Sequence, residues 1–101
     1  MPKLYEYFGI VILFYSSEHQ PIHVHGKFQG RESKAEIILY EGKIQEIRIV
    51  NVPQKRPLEG NKLADFKKFV EVYADKIVEN WIDYFVYNKS IKPKIITRRI
   101  K

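Results

Sequence analysis

The sequence predicts an α+β fold, a four-stranded antiparallel meander followed by one long C-terminal amphipathic helix. Three observations carry this. Apolar residues recur at period two through much of the first half, and the period changes to 3.6 from Asn61 onward. Glycine dipeptides of hairpin type, Gln29-Gly30 and Glu41-Gly42, separate the strand-like runs. A chain of 101 residues with 45% apolar and 14% aromatic side chains has the size and composition of one folded domain. We expect a single α+β domain over residues 1–88 and a basic tail over residues 89–101.

The elements follow in order. Phe8 to Tyr15 (FGIVILFY) is β-branched and aromatic and apolar at both parities, as in a central strand covered on both faces. The helix can cover one face; the other calls for a partner subunit or a curled sheet, which favours a homodimer. Ser16 to Pro21 is polar and reads as a loop. In the next segment Ile22, Val24, Gly26 and Phe28 share one face, and His23, His25 and Lys27 share the other. Ser33 to Tyr40 and Ile44 to Val50 complete the meander. Pro53 and Pro57 then frame the connector Gln54-Lys55-Arg56, which cannot be a central strand.

The helix is expected from Asn61, with Leu63, Phe66, Val70, Tyr73, Ile77 and Trp81 on one apolar stripe. Asn61 is its expected cap, Asp65 lies near the positive end of its dipole, and Asn88 to Pro93 should end it. Trp81, Phe66, Phe69 and Tyr73 read as core. Tyr84 and Tyr87 fit stacking on bases or packing on a partner helix. The segment after Pro93 fits a short edge strand or a flexible end.

The chain contains no cysteine, which removes disulfides, thiolate metal sites and a cysteine nucleophile and fits a reducing compartment. The longest apolar run has eight residues against the roughly 20 that a spanning helix needs, and Glu6 and the Ser16-Ser17-Glu18-His19 sequence argue against a signal peptide. The expected location is the cytoplasm, away from membranes. Net charge is +6, concentrated C-terminally: from Tyr84 onward there are six basic residues and no acid. Lys55, Arg56, Lys92, Lys94, Arg98 and Arg99 are therefore candidate contacts for the phosphates of RNA or DNA, with a solvated tail as the alternative.

The three histidines, His19, His23 and His25, fall in one seven-residue window around Pro21. Spacing of two along a strand puts His23 and His25 on the same side, about 6.5 to 7 Å apart at the backbone, and His19 comes from the loop before them. Two chemistries suit the cluster. Three neutral imidazoles can bind zinc or another divalent transition metal, with Glu18 or Glu36 as a fourth or orienting group. Alternatively, two of them can act as general base and acid in cleaving an RNA phosphodiester through its 2′-hydroxyl, with Lys27 or Arg31 beside the phosphate. A third reading makes them polar-face residues bonded to carboxylates or backbone.

At these residues the chain resembles the bacterial family catalogued as domain of unknown function 4160. The shared features are Met1-Pro2, the strand Phe8-Gly9-Ile10-Val11-Ile12, the signature Glu18-His19-Gln20-Pro21-Ile22-His23-Val24-His25, and Glu79-Asn80-Trp81 late in the helix. The resemblance spans roughly residues 1 to 83. It departs at Ile22, where the family has a second proline, in the basic connector of residues 53–60, and in the basic C-terminal extension. It implies a small prokaryotic protein whose gene neighbours that of a small partner protein, in pairs suggested to be toxin and antitoxin modules. The functional expectation is a component of such a module with a three-histidine site acting on RNA or binding a metal. The alternative is a non-enzymatic module that holds nucleic acid or a partner protein through the connector and tail.

Overall fold

The structure, a computed structural model, describes residues 3–15 and 22–100. Six strands and one helix follow in order: β1 (Lys3–Tyr7), β2 (Ile10–Leu13), β3 (Ile22–Phe28), β4 (Arg31–Tyr40), β5 (Lys43–Asn51), α1 (Gly60–Phe85) and β6 (Lys94–Ile96). They form one sheet in the order β5-β4-β3-β2-β1-β6, antiparallel throughout except for the parallel β1–β6 pair.

The α+β class and the single long helix agree with the sequence reading, whereas the four-stranded, wholly antiparallel sheet is corrected to a mixed sheet of six. The first correction comes from Phe8-Gly9. Both residues have positive φ, 47° and 87°, as do Gln29-Gly30 and Glu41-Gly42. All three hairpins are thus two-residue turns with left-handed backbone at both positions, where glycine at the second position carries no Cβ penalty. The apolar run Phe8 to Tyr15 therefore starts with a turn, and Lys3–Tyr7 before it is a strand of its own. The second correction is β6, which lies parallel to β1 with Tyr5 opposite Lys94 and Tyr7 opposite Ile96. A parallel partner needs a long crossover, and α1 supplies it.

Helix α1 packs on one sheet face. Phe66, Phe69, Val70, Ile77 and Trp81 are buried against Tyr5, Tyr7, Ile10, Ile12, Val24, Ala35 and Ile37. Each such side chain contributes about 1.5 to 3 kcal/mol on burial. The closest approach is at Gly26, where an added Cβ would lie 2.6 Å from the Phe66 ring, so glycine is what lets the helix seat. Tyr73 stacks on Phe69 with ring centroids 4.3 Å apart. The helix begins one residue before Asn61; its N-cap is Glu59, which makes no side-chain capping bond, so the expected Asn61 cap is not formed. It ends at Phe85, short of the expected Asn88.

The connector is stitched to the start of β4. Glu32 N–H donates to the Arg56 carbonyl at 2.8 Å, Leu58 N–H to Ser33 Oγ at 3.0 Å, and Arg31 Nη1 to the Pro57 carbonyl at 3.2 Å. The C-terminal segment is tied down at the other edge: Arg99 pairs with Asp65 at 2.8 Å, and Ile100 N–H donates to Tyr7 Oη at 3.0 Å. Asp65 therefore serves the tail, not the helix dipole; no acidic residue stands in the first turn of α1.

Candidate active site on the sheet face opposite the helix

Alternation along β3 sends Ile22, Val24 and Gly26 toward α1 and His23, His25 and Lys27 to the opposite face. The hairpin at Gln29-Gly30 sets the β3–β4 register, pairing Phe28 with Arg31 and Lys27 with Glu32. His23 thereby faces Glu36, His25 faces Lys34, and Glu32 lies diagonally from His25 on the same surface.

Glu32 is the centre of the arrangement. Its side chain is 2% exposed, and its Oε2 accepts a hydrogen bond from His25 Nδ1–H at 2.8 Å and another from the Tyr15 hydroxyl at 3.0 Å. Its Oε1 is buried and has no hydrogen-bond partner among the described residues. A carboxylate taken out of water needs such partners, because an unpaired one costs several kcal/mol. The backbone bond to Arg56 fixes Glu32 from behind, so the connector helps aim the carboxylate at the imidazole.

His23 and His25 are each 6% exposed, with ring centroids 5.4 Å apart. Tyr15 meets His25 edge-on at 4.5 Å, and Trp81 closes on His23 at 5.6 Å. Leu13, buried and opposite His25 on β2, adds an apolar wall. Lys34 stands 3.9 Å from Glu36, a weak pair at the site's edge. The bond from Nδ1 to Glu32 sets the orientation of the His25 ring. A carboxylate, an oriented imidazole and a second imidazole within one ring's width make an arrangement able to move protons.

Of the sequence candidates, His23 and His25 come together as the strand spacing requires. His19 lies outside the described residues, as do Glu18 and the rest of the expected loop. Among the described residues, no group of three histidine, aspartate or glutamate side chains is arranged to hold a metal ion. Arg31 is turned to Pro57 and Glu59, away from the imidazoles, while Lys27 shares their face. Glu32 and Tyr15 are the residues that strand spacing alone misses. Counting back from the two-residue turn at Gln29-Gly30 would have put Glu32 beside His25.

The six basic candidates do not form one patch. Lys55 and Arg56 flank the start of β4, whereas Lys92 and Lys94 lie at β6, about 19 Å away across four strand spacings. Arg98 is exposed. Arg99 is engaged by Asp65 and lies over the Phe8 ring at 4.2 Å; the Asp65 carboxylate hydrogen bond raises the pKa of its guanidinium further. No helix is long and apolar enough to cross a membrane among the described residues.

Residues 9–82 match the family described as domain of unknown function (DUF4160), which covers most of the chain and all of the His23, His25, Glu32 and Trp81 arrangement. The chain belongs to that family. No curated protein and no solved structure matches it.

Proposed function

We propose that this member of the domain of unknown function 4160 family acts on RNA as a component of a toxin–antitoxin type module in the cytoplasm, with His25 and His23 as its general base and acid. The observation that carries this reading is the buried Glu32 carboxylate on His25 Nδ1 at 2.8 Å, with His23 alongside. In the reaction, His25 takes the proton of a 2′-hydroxyl. The 2′-oxygen attacks the adjacent phosphorus, and the bond to the 5′-oxygen breaks as His23, protonated, gives its proton to that oxygen. The products are a 2′,3′-cyclic phosphate and a free 5′-hydroxyl. Glu32 stabilises the charge that His25 acquires, Tyr15 shares the carboxylate's burden of orientation, and Lys27 supplies positive charge on the same face. Groups placed this way contribute about 10²- to 10⁴-fold each.

The test is incubation of untagged protein with a short single-stranded RNA, with and without EDTA, followed by analysis of the product ends. Cyclic phosphate ends are expected. Intact RNA would contradict the reading; cleavage abolished by EDTA, together with bound metal on elemental analysis, would shift it to a metal site that recruits His19.

A second reading, a non-enzymatic nucleic-acid or partner-protein module, draws on the exposure of Lys55, Arg56, Lys92, Lys94 and Arg98. RNA retention that disappears between about 50 and 200 mM salt and survives replacement of both histidines would favour it. We also propose a homodimer through β5. β6 is a short, lysine-bearing edge, whereas β5 is a nine-residue edge with its outer side unpaired among the described residues. A two-fold axis at Ile47 sets Glu46 of each copy opposite Arg48 of the other, complementary charges that already pair within one chain at 3.0 Å. Gel filtration of Ile47→Lys should give a monomer; a wild-type monomer at all concentrations would exclude the dimer.

A further inference from the structure

Between the C-terminal half of α1 and the β1–β6 edge lies a groove of about 310 Å³ that the histidine site does not use. On its helix wall Tyr73, Lys76 and Asn80 stand at spacings of three and four, one stripe of the helix surface. Its other wall is the stretch around Pro93, where Lys92 and Lys94 flank the proline and Lys94 sits opposite Tyr5 in the β1–β6 pairing. Three lysines from two elements that the sequence separates by sixteen positions or more thus border one concavity, against a single carboxylate, Glu79.

The floor is Tyr5. Its ring is fixed between Phe69 and Tyr73, both at 5.2 Å, and the Asn80 side chain lies beside its hydroxyl. Burial holds that hydroxyl in its protonated form, pushing its pKa up, while the neighbouring Asn80 side chain acts the other way and more weakly. Tyr5 lines the groove, and its phenolic O–H is a hydrogen-bond donor for a ligand there. A buried hydroxyl donor below three ammonium groups is complementary to a compact, multiply charged oxyanion and unsuited to an apolar ligand.

We propose that this groove binds a small phosphate-bearing ligand, a phosphate monoester of about mononucleotide size, with Lys76, Lys92 and Lys94 on the phosphate oxygens and the Tyr5 hydroxyl beneath them. The volume is at the lower end of that of small-molecule sites and too small for a duplex. The site is separate from His23 and His25 and stands whether or not they cut RNA.

The experiment is calorimetric titration of the full chain at low salt with 5′-AMP and, in parallel, with inorganic phosphate. Saturable binding is expected with both. Tighter binding of 5′-AMP would assign the nucleoside to the groove, and equal binding would assign the phosphate alone. Replacing Lys92 and Lys94 together by Ala should weaken binding at least about 10-fold, and Tyr5→Phe about 3-fold or more. Both lysines are exposed, so the folded state is kept. The control is the pair Lys43→Ala and Lys67→Ala, exposed lysines that do not line the groove, which should leave binding unchanged. Absence of saturable binding by either probe, or equal loss in the control pair, would overturn the assignment.

Discussion

Gly26 and Glu32 are the residues on which the architecture and the site respectively turn. A methyl group at position 26 meets the buried Phe66 ring at 2.6 Å, so Gly26→Ala should destabilise the fold by about 1 to 3 kcal/mol, visible as an earlier denaturant midpoint with the slope retained. An unchanged midpoint would mean that the helix is not seated as described. Glu32→Gln retains an acceptor for Tyr15 and His25 while removing the charge, and should keep the fold while lowering RNA cleavage. Tyr5 gives the pH dependence: its folded pKa is raised by burial above the usual value of 10.0, so its contribution is complete below pH 10 and is lost as pH rises through the higher folded value. Stability should therefore fall in strong alkali, and Tyr5→Phe should flatten that fall. The convergence of His23 and His25 was legible in the sequence, because alternation on a strand is a local property. Glu32 was not legible, since its nearness to His25 depends on pairing across two strands and a carboxylate only 2% exposed contradicts the ordinary expectation for glutamate.

At the scale of elements, the legible parts were those with strong periodicity. The stripe Phe66, Val70, Ile77 and Trp81 marks α1, and the turns at Gln29-Gly30 and Glu41-Gly42 fix β3, β4 and β5. β1 was hidden because Phe8-Gly9 is flanked by apolar residues on its C-terminal side, so that a turn of the same backbone type read as the start of a strand. β6 was hidden because three residues carry no period and its pairing partner lies some ninety residues away. Its contribution is measurable. Removing residues 89–101 takes away the parallel pairing with β1, the Arg99–Asp65 ion pair and the bond from Ile100 to Tyr7, and exposes the edge of β1. The melting temperature should fall by several degrees, at about 4 to 8 °C per kcal/mol for a domain of this size. Arg99→Ala alone should have a much smaller effect, because its ion pair is half-exposed. An unchanged melting temperature after truncation would show that β6 adds nothing to the sheet.

For the whole molecule, the sheet separates two chemistries. One face carries the helix and, at its β6 edge, the basic groove; the other carries the imidazoles and Glu32. The helix joins them: Asn80 lines the groove beside Tyr5, and the next residue, Trp81, closes on His23. The net charge of +6 is distributed over this surface as separate clusters at the connector and at β6, and sequence position alone could not show that the clusters lie beside different strands. The most direct measurement of the central claim compares RNA cleavage and thermal melting side by side in wild type, His23→Asn and Glu32→Gln. Cleavage reduced about 100-fold or more in His23→Asn with a melting temperature within a few degrees of wild type is the expected result. Unchanged cleavage in a folded His23→Asn protein, or a loss that merely follows unfolding in both variants, would contradict it.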